Sequence, residues 1–258
     1  MGTVIYSSPI FGPVNSRRLG VSLGINLMPS DGKICTFDCL YCECGLNRQR
    51  IPSLSRPSRE EIRRALEERL KLMQKEGPEP NVLTFAGNGE PTAHPDFAGI
   101  IDDVTEVRDR YFPKAKVTVL SNGTRIRDEK VFNALMKVDN NIQKLDTVDI
   151  DYIMKLDRPT GRYDLQEVIG TMKRFNGHVI IQTMFLKGVV NGVDMDNTLD
   201  RYVDPWIEAI REIGPEKIMI YTIAREAPIS ELQKASPDTL DRIADKLRPL
   251  GIELSVSY

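Results

Sequence analysis

The sequence GKICTFDCLYCECG occupies residues 32–45 and contains all four cysteines of this 258-residue chain. Three of them, Cys35, Cys39 and Cys42, have the spacing C-x3-C-x2-C, and Cys44 follows two residues later. Thiolates are soft ligands that suit zinc ions and iron–sulfur clusters. Several thiolates so close in sequence can converge on one centre only if the loop folds around it. The stretch therefore predicts a metal-binding loop.

A disulfide knot, a structural zinc site and a ferredoxin-type cluster are other uses of four clustered cysteines. The chain is long, rich in Lys and Glu, and begins without an apolar signal segment, which favours a reducing cytosol over disulfides. Zinc sites usually combine two C-x2-C-like pairs, and no second pair is present. Ferredoxin-type binding needs a more distant fourth cysteine, which is also missing. A zinc site or a closed iron–sulfur site built from all four cysteines stays open as the non-catalytic alternative.

Cys35, Cys39 and Cys42, with the aromatic Tyr41 just before the third cysteine, resemble the signature loop of the radical S-adenosylmethionine (radical SAM) enzymes. In that family three cysteines hold three irons of a [4Fe–4S] cube, and the fourth iron binds S-adenosylmethionine. The resemblance implies reductive cleavage of S-adenosylmethionine to a 5′-deoxyadenosyl radical that abstracts hydrogen from a substrate. It also implies that Tyr41 helps to bind this cofactor. Cys44 departs from the pattern, and we interpret it as a non-ligand because a fourth thiolate would block the open iron.

A second motif, GNGEP at residues 87–91, follows a short apolar run at residues 81–86 that suits a buried parallel strand. Two glycines cost backbone entropy, so the motif is either a tight turn or a backbone that approaches a ligand closely. It resembles the Gly-Gly-Glu segment with which radical SAM proteins bind the amino group of the methionine moiety, with Asn88 where glycine is commoner. Two motifs in this order support each other. The resemblance implies these cofactor-binding residues: Gly87, Asn88, Gly89 and Glu90.

A third polar segment begins with Ser121 and Asn122, directly after a strand predicted at residues 116–120. Taken alone, Ser-Asn-Gly indicates only a turn. The segment resembles the family's strand end that contacts the ribose and carboxylate of S-adenosylmethionine. The resemblance therefore makes Ser121 and Asn122 cofactor-binding candidates.

Three polar residues interrupt the next two predicted strands. Lys144 and Asp146 lie two apart on a strand predicted at residues 142–146, so they share one face. Charges on a buried strand need partners, which predicts either a position near cofactor or substrate or a structural ion pair. Gln182 interrupts the apolar strand predicted at residues 179–186, and it is either a satisfied core amide or a cofactor ligand.

Strand and helix patterns alternate along the chain, which predicts a parallel sheet with crossover helices in about six or seven units. The resemblance implies an α/β fold, a partial (β/α)6 TIM-like barrel with mostly parallel strands, as a single domain over residues 1–258. Every cofactor candidate lies near the carboxyl end of a predicted strand, where such sheets bind ligands. Residues 1–18 are expected to form a turn-rich lead-in, residues 32–45 the cluster-binding loop, and residues 188–197 a loop.

Composition limits the partners of this protein. The net charge is −2 and the pI is about 5.9, so there is no global electrostatic case for nucleic acid. No apolar run approaches the ~20 residues needed to cross a bilayer. We therefore expect a cytoplasmic protein with no membrane partner, and we interpret nucleic acid as an unlikely partner.

The cysteine count also bears on electrons and substrate. No cysteine follows Cys44, so a second cluster has no ligands, and the electron is expected from an external donor such as flavodoxin or ferredoxin. Residues 11–20 resemble the opening of small radical SAM proteins related to wyosine-type tRNA-modifying synthases, which carry a second cluster. We therefore favour a small molecule, or a peptide or protein side chain, as substrate, with tRNA modification as the alternative. Arg17 and Arg18 could hold an anionic substrate or form surface salt bridges.

Other charged residues near the motifs receive simpler interpretations. His94, which follows the second motif, is interpreted as a loop histidine packed by neighbouring prolines rather than as a catalytic group. Four arginines after the cysteine loop are interpreted as a solvated approach to the site or a docking surface for an acidic electron donor: Arg48, Arg50, Arg56 and Arg59.

Overall fold

The computed structural model describes residues 3–16, 19–225 and 227–258, so Arg17 and Arg18 lie outside the described residues. The strands, in chain order, are β1 (Ile10–Ser16), β2 (Gly20–Ile25), β3 (Val82–Phe85), β4 (Lys116–Ser121), β5 (Asn140–Lys144), β6 (Ile180–Met184), β7 (Leu186–Val190), β8 (Val193–Asp194), β9 (Lys217–Tyr221), β10 (Leu232–Lys234) and β11 (Glu253–Ser257). The helices are α1 (Arg59–Glu76), α2 (Phe97–Tyr111), α3 (Glu129–Leu135), α4 (Ile150–Leu156), α5 (Leu165–Arg174), α6 (Asp200–Ile213) and α7 (Pro237–Leu247).

Eight of these strands form one sheet in the order β1-β2-β3-β4-β5-β6-β9-β11. The seven strands from β2 onward run parallel, and β1 pairs antiparallel with β2 at one edge. Parallel neighbours need crossover connections, and helices supply most of them. The predicted α/β fold with mostly parallel strands in a partial barrel is confirmed, with seven parallel strands rather than six.

Each parallel strand turns one face toward the helices and the other toward the inside of the partial barrel. The helix-side face is apolar and belongs to the main core, as with Leu83 and Phe85 of β3. On the inner face Ile142, Ile180 and Met219 form a separate cluster. Lys144 lies two residues beyond Ile142, Gln182 lies two residues beyond Ile180, and the two are paired with each other. Because side chains alternate along a strand, both lie on the same inner face, nearer the carboxyl ends.

Helix α1 shows how local sequence defines an element. The Ser58 hydroxyl accepts a hydrogen bond from the Glu61 N–H at 3.2 Å, and the Glu61 carboxylate accepts one from the Ser58 N–H at 2.7 Å. This reciprocal capping box satisfies two N–H groups at the start of the helix. The residues that α1 buries recur at helical spacing: Ile62, Leu66, Leu70 and Met73.

The structure corrects three expectations from the sequence. Residues 10–16 lie inside the expected lead-in but form β1, an irregular edge strand whose register shifts between Phe11 and Val14. Residues 188–194 were expected in a loop, but β7 and β8 form a hairpin that pairs with β10 in a second, three-stranded sheet. Asp146 lies two residues beyond the end of β5 and not on a strand.

None of the described helices combines the length and the apolar character that a membrane span requires.

Candidate functional site

The cysteine loop follows β2 at the carboxyl edge of the sheet, as the sequence predicts. Cys35, Cys39 and Cys42 are partly exposed free thiols, whereas Cys44 is buried. The loop is closed by the Cys42 N–H, which donates to the Cys39 C=O at 3.2 Å, and by the Gly45 N–H, which donates to the Cys42 C=O at 2.9 Å. The three cysteines with the predicted ligand spacing are therefore less buried as residues than Cys44, although all four lie in the same loop.

The second motif packs against the backbone of this loop. The Ile34 N–H donates to the Asn88 C=O at 3.0 Å, and the Glu90 N–H donates to the Ile34 C=O at 3.2 Å. Gly89 has a φ of +145°, and a Cβ placed there would lie 1.8 Å from the Ile34 oxygen. Only glycine fits this approach. The sequence suggested either a tight turn or a close approach to a ligand at this motif. In the structure the close approach is to the backbone of the cysteine loop at Ile34.

Glu90 is buried and held by residues of two motifs. One carboxylate oxygen accepts from the hydroxyl and the N–H of Thr92 at 2.6 and 3.1 Å, and the other accepts from the Asn122 N–H at 2.7 Å. Burial raises the pKa of Glu90, while hydrogen bonds from Thr92, Asn122 and Ser121 oppose that rise. The carboxylate is therefore oriented by at least three donors beside the cysteine loop.

Asn122 joins the third motif to the first. Its side-chain nitrogen donates to the Thr36 hydroxyl at 2.9 Å and lies 3.7 Å from the Cys35 sulfur. Its backbone N–H is bound to Glu90, as described above. The predicted residues Cys35, Glu90 and Asn122 are thus brought together in one place, although 87 positions separate the first from the last.

Lys144, Asp146 and Tyr41 form a second buried group at the mouth of the barrel. The Lys144 ammonium contacts the Asp146 carboxylate and the Tyr41 hydroxyl, and it lies 2.9 Å from an Asp157 oxygen. The Tyr41 hydroxyl also donates to Asp146. The sequence left two roles open for Lys144 and Asp146, a structural ion pair or a position near cofactor or substrate. The ion pair is present, and it lies on the inner face of the barrel, so the second role remains compatible with it. Gln182 lies on the same inner face as Lys144. No hydrogen bond to its side chain is found in the described ranges.

Asp157 was missed by the sequence reasoning. It follows α4 and is almost fully buried, and burial raises its pKa to about 6 while Lys144 opposes the rise. Burial also raises the pKa of the Cys39 thiol well above its ordinary value, and Asp157 adds to that effect. A single aspartate outside the motifs does not indicate a functional site in the sequence, because only the tertiary structure brings Asp157 to Lys144.

Asn88 uses its side chain within the protein. The side chain is completely buried and bonds the backbone of Tyr6 and the C=O of Pro29. A contact from this amide to a cofactor would have to replace one of those bonds. Gly87, with a φ of +120°, lies against the Asn26 side chain.

Lys33 is a second residue that the sequence reasoning missed. Its side chain is buried, and its ammonium donates to the Gly45 C=O at 2.7 Å. Burial lowers the pKa of Lys33, but the negative charges that Cys42, Cys35 and Cys39 can carry outweigh it, so the net shift is upward. The signal was its place two residues before the first cysteine, although lysines in loops are usually solvated.

The thiols differ in acidity because their surroundings differ. A hydrogen bond from Cys44 lowers the pKa of Cys42 to about 6, with burial opposing and Lys33 assisting. Burial raises the pKa of Cys35 to about 12, and the nearby Glu90 adds to the rise. The Cys44 thiol has one hydrogen and lies within reach of two acceptors, the Cys42 sulfur and the Gly87 C=O 3.3 Å away.

The donor set fits an open cluster through its chemistry. Three partly exposed thiols lie beside a buried ammonium, which compensates the charge that thiolate ligands bring. Within residues 3–16, 19–225 and 227–258, no group of three His, Cys, Asp or Glu side chains is placed to share a single metal ion. A [4Fe–4S] cube binds each thiolate at a different iron, so this finding concerns a mononuclear site and not a cluster.

The four arginines after the cysteine loop do not form one surface. An Arg50 nitrogen donates to the Thr3 C=O at 3.0 Å and holds the N-terminal segment. Arg59 binds the Asp103 carboxylate through two nitrogens at 2.6 and 2.8 Å. Arg56 lines a separate cavity, and Arg48 is exposed.

Comparisons with known proteins identify sequences related to this chain. A family model described as the Radical SAM superfamily matches residues 30–202, which is more than half of the chain. A UPF0026 protein from Helicobacter pylori is 31% identical over 186 residues, covering 70% of this chain and 57% of that protein. The chain spans 32% to 63% of the length of three curated relatives that it matches.

Solved structures share the fold. A radical SAM methyltransferase from Sphaerobacter thermophilus superposes with a TM-score of 0.67 over 91% of this chain and 65% of that chain, at 15% identity. SuiB from Streptococcus suis, solved with S-adenosylmethionine bound, superposes with a TM-score of 0.63 over 91% of this chain and 50% of that chain, also at 15% identity. At these identities the likeness shows the fold.

Proposed function

Because the chain belongs to the radical SAM superfamily, we propose that it cleaves S-adenosylmethionine reductively at an open [4Fe–4S] cluster held by Cys35, Cys39 and Cys42. The cluster would supply the electron that splits the sulfonium and yields a 5′-deoxyadenosyl radical, which abstracts hydrogen from the substrate. Cys44 is not a ligand in this proposal, since its buried thiol is directed at Gly87.

One observation carries the proposal: Asn122 contacts both Cys35 and Glu90. A cofactor that reaches an open iron must also place its amino group near a carboxylate, and here the carboxylate and a candidate ligand are bridged by one residue. Turns that only happened to resemble the family's motifs would have no reason to meet in this way.

The other predicted residues take roles that follow from their positions. Glu90 accepts hydrogen bonds from the cofactor's ammonium, which are stronger than neutral ones because both groups are charged. Ser121 and Asn122 orient Glu90 and offer polar groups to the ribose and carboxylate. Gly87, Asn88 and Gly89 contribute backbone groups at the same edge.

Residues on the inner face complete the site in this proposal. Tyr41 lies at the mouth of the barrel and presents its ring beside the cluster loop. Lys144 and Asp146 fix the position of Tyr41 through their contacts with its hydroxyl. Gln182, on the same face, offers an amide toward cofactor or substrate.

In this proposal the electron comes from an external donor, a flavodoxin or a ferredoxin, since all four cysteines of the given sequence lie in the one loop. The favoured substrate is a small molecule or a peptide or protein side chain. A tRNA substrate is the alternative.

The test is anaerobic reconstitution of the protein with iron and sulfide, followed by analysis of both elements and of bound zinc. We expect about four irons and four sulfides per chain if one [4Fe–4S] cluster assembles. With dithionite and S-adenosylmethionine, 5′-deoxyadenosine should form. The protein with Cys35, Cys39 and Cys42 all changed to Ala is the control and should form none. Zinc without iron, or a full cluster with no cleavage, would contradict the proposal.

A further inference from the structure

We propose that a cavity at the starts of α1 and α2 binds the phosphate group of a small phosphorylated molecule. The cavity has a volume of about 490 Å³ and is lined by parts of three segments, residues 56–59, 92–99 and 125–131. None of residues 32–45 lines it, so it is separate from the cysteine loop. Small-molecule sites commonly measure roughly 300–1,000 Å³, which leaves room here for more than inorganic phosphate.

Three cations of the cavity have no carboxylate partner among the described residues: Arg56, Arg125 and Lys130. Arg125 and Lys130 are exposed, whereas Arg56 is partly buried. The Nε of Arg56 is itself buried and has no hydrogen-bond partner. The Arg56 guanidinium is therefore not tied to an acceptor elsewhere in the described residues, so it is available to pair with an anion in the cavity.

The other charged groups of the cavity are mostly committed. Arg59 is bound to Asp103, which leaves its charge paired. Asp128 accepts from the Lys130 N–H at 2.8 Å and so caps α3. Asp96 makes no capping bond. The lining therefore holds three cations without a carboxylate partner against two carboxylates, Asp96 and Asp128, which leaves a positive balance.

The start of α2 adds donors to these cations. The Phe97 N–H is satisfied by the His94 C=O at 3.1 Å. Asp96 provides no side-chain cap, and no bond to the N–H groups of Ala98 or Gly99 is found in the part of the chain that the structure describes. Free N–H groups at the start of a 15-residue helix attract anions through their dipoles.

These donors match a phosphate better than a carboxylate. A phosphate offers three acceptor oxygens and nearly two charges, which suits two arginines, a lysine and helix N–H groups together. Thr92 also lines the cavity, and its hydroxyl donates to Glu90. The occupant would therefore touch a residue that orients the proposed cofactor carboxylate.

The test is calorimetric titration of the whole chain at low salt, without S-adenosylmethionine, so that the result does not depend on cofactor cleavage. The probes are ribose 5-phosphate, ribose, inorganic phosphate and a mixed-sequence single-stranded oligonucleotide. Ribose 5-phosphate should bind more tightly than inorganic phosphate, and ribose should not bind.

The variants identify the cavity. Arg56→Gln should weaken ribose 5-phosphate binding about ten-fold, which corresponds to about 1.4 kcal/mol. Arg125→Gln and Lys130→Gln should each weaken it about three-fold, because water and salt screen exposed cations. Arg64→Gln, an exposed arginine on α1 outside the cavity, is the control and should change nothing.

Four outcomes would overturn the proposal. They are equal binding of ribose and ribose 5-phosphate, equal binding of inorganic phosphate and ribose 5-phosphate, unchanged binding in all three cavity variants, and equal loss in Arg64→Gln. Tighter oligonucleotide binding that depends on the same cations would replace the proposal with a nucleic-acid surface. Arg125 and Lys130 are exposed, so their variants keep the test valid if Arg56→Gln fails to fold.

Discussion

The side-chain amide of Asn88 makes two 2.8 Å hydrogen bonds with the backbone of Tyr6, accepting from its N–H and donating to its C=O. The same nitrogen donates to the Pro29 C=O at 2.8 Å. The N-terminal segment is thereby fixed against the cysteine loop, where the Val4 N–H donates to the Glu43 C=O. Glycine, the commoner residue at this place in the family, could make none of these side-chain bonds.

Asn88→Gly should release the N-terminal segment. Loss of three buried hydrogen bonds, at about 0.5–1.5 kcal/mol each, should lower the free energy of unfolding by about 1.5–4.5 kcal/mol. Hydrogen exchange should accelerate at the Tyr6 and Val4 amides more than in the core strands. Asn191→Gly, at an exposed position with a φ of +51°, is the control and should leave both measurements unchanged. Equal exchange in Asn88→Gly and the unchanged protein would show that the amide does not hold the segment.

The three predicted ligands should behave differently from Cys44. Single changes of Cys35, Cys39 or Cys42 to Ala should abolish cluster assembly, measured as iron and sulfide per chain. Cys44→Ala should keep the cluster and S-adenosylmethionine cleavage, because Cys44 lies outside the C-x3-C-x2-C spacing and its buried thiol contacts the Gly87 C=O. Loss of iron in Cys44→Ala would support a closed site with four thiolates.

Glu90→Gln should weaken S-adenosylmethionine binding by about ten-fold to a hundred-fold. A charge-assisted hydrogen bond contributes about 1.5–3 kcal/mol, and 1.4 kcal/mol is one decade of affinity. Glutamine keeps the volume of the buried side chain, so the melting temperature serves to check folding. The exposed Glu68→Gln is the control for calorimetric titration of the reconstituted protein. Unchanged affinity would leave Glu90 with a structural role in holding Thr92 and Asn122.

Lys33→Met should make the cluster harder to reduce. Reduction adds negative charge beside a buried ammonium, so removal of the ammonium disfavours the reduced state. A ten-fold loss in the reduction equilibrium corresponds to about 59 mV for a one-electron couple. The midpoint potential is measured by an EPR-monitored titration without S-adenosylmethionine, after iron analysis has shown equal loading. Lys155→Met, at an exposed position, is the control. An unchanged potential would limit Lys33 to bonding the Gly45 carbonyl.

His94 should make the folded protein sensitive to mild acid. Its Nδ1 accepts from the Asp96 N–H at 3.1 Å, and its Nε2 lies 3.0 Å from the Pro57 C=O, so the neutral ring with a proton on Nε2 satisfies both. Burial lowers the pKa of His94 below its ordinary 6.5. As the pH falls through about 6.5, the unfolded chain takes up a proton before the folded one does, and stability decreases.

The measurement is the difference in melting temperature between pH 7.5 and pH 5.5. This difference should be smaller in His94→Gln than in the unchanged protein. If the melting temperature falls equally between pH 7.5 and pH 5.5 in His94→Gln and in the unchanged protein, the acid sensitivity comes from other groups.

The sequence indicated most of the fold and supplied the candidate site residues, because both depend on local patterns. Alternating strand and helix periodicity predicted the mostly parallel sheet. Edge strand β1 and the hairpin of β7 and β8 were missed, since short or irregular strands with few buried residues leave little periodic signal.

By itself, the sequence determined which residues could serve an open cluster, because cysteine spacing and strand-end motifs are set along the chain. Only the tertiary structure decided that Asn122 links Cys35 to Glu90, that Lys144 is neutralised by Asp146 and Asp157, and that Lys33 is buried beside the thiols. These contacts join residues on different strands and loops. Their partners are fixed by the register of parallel strands and by burial, which raises the cost of any unpaired charge, and neither is readable from spacing.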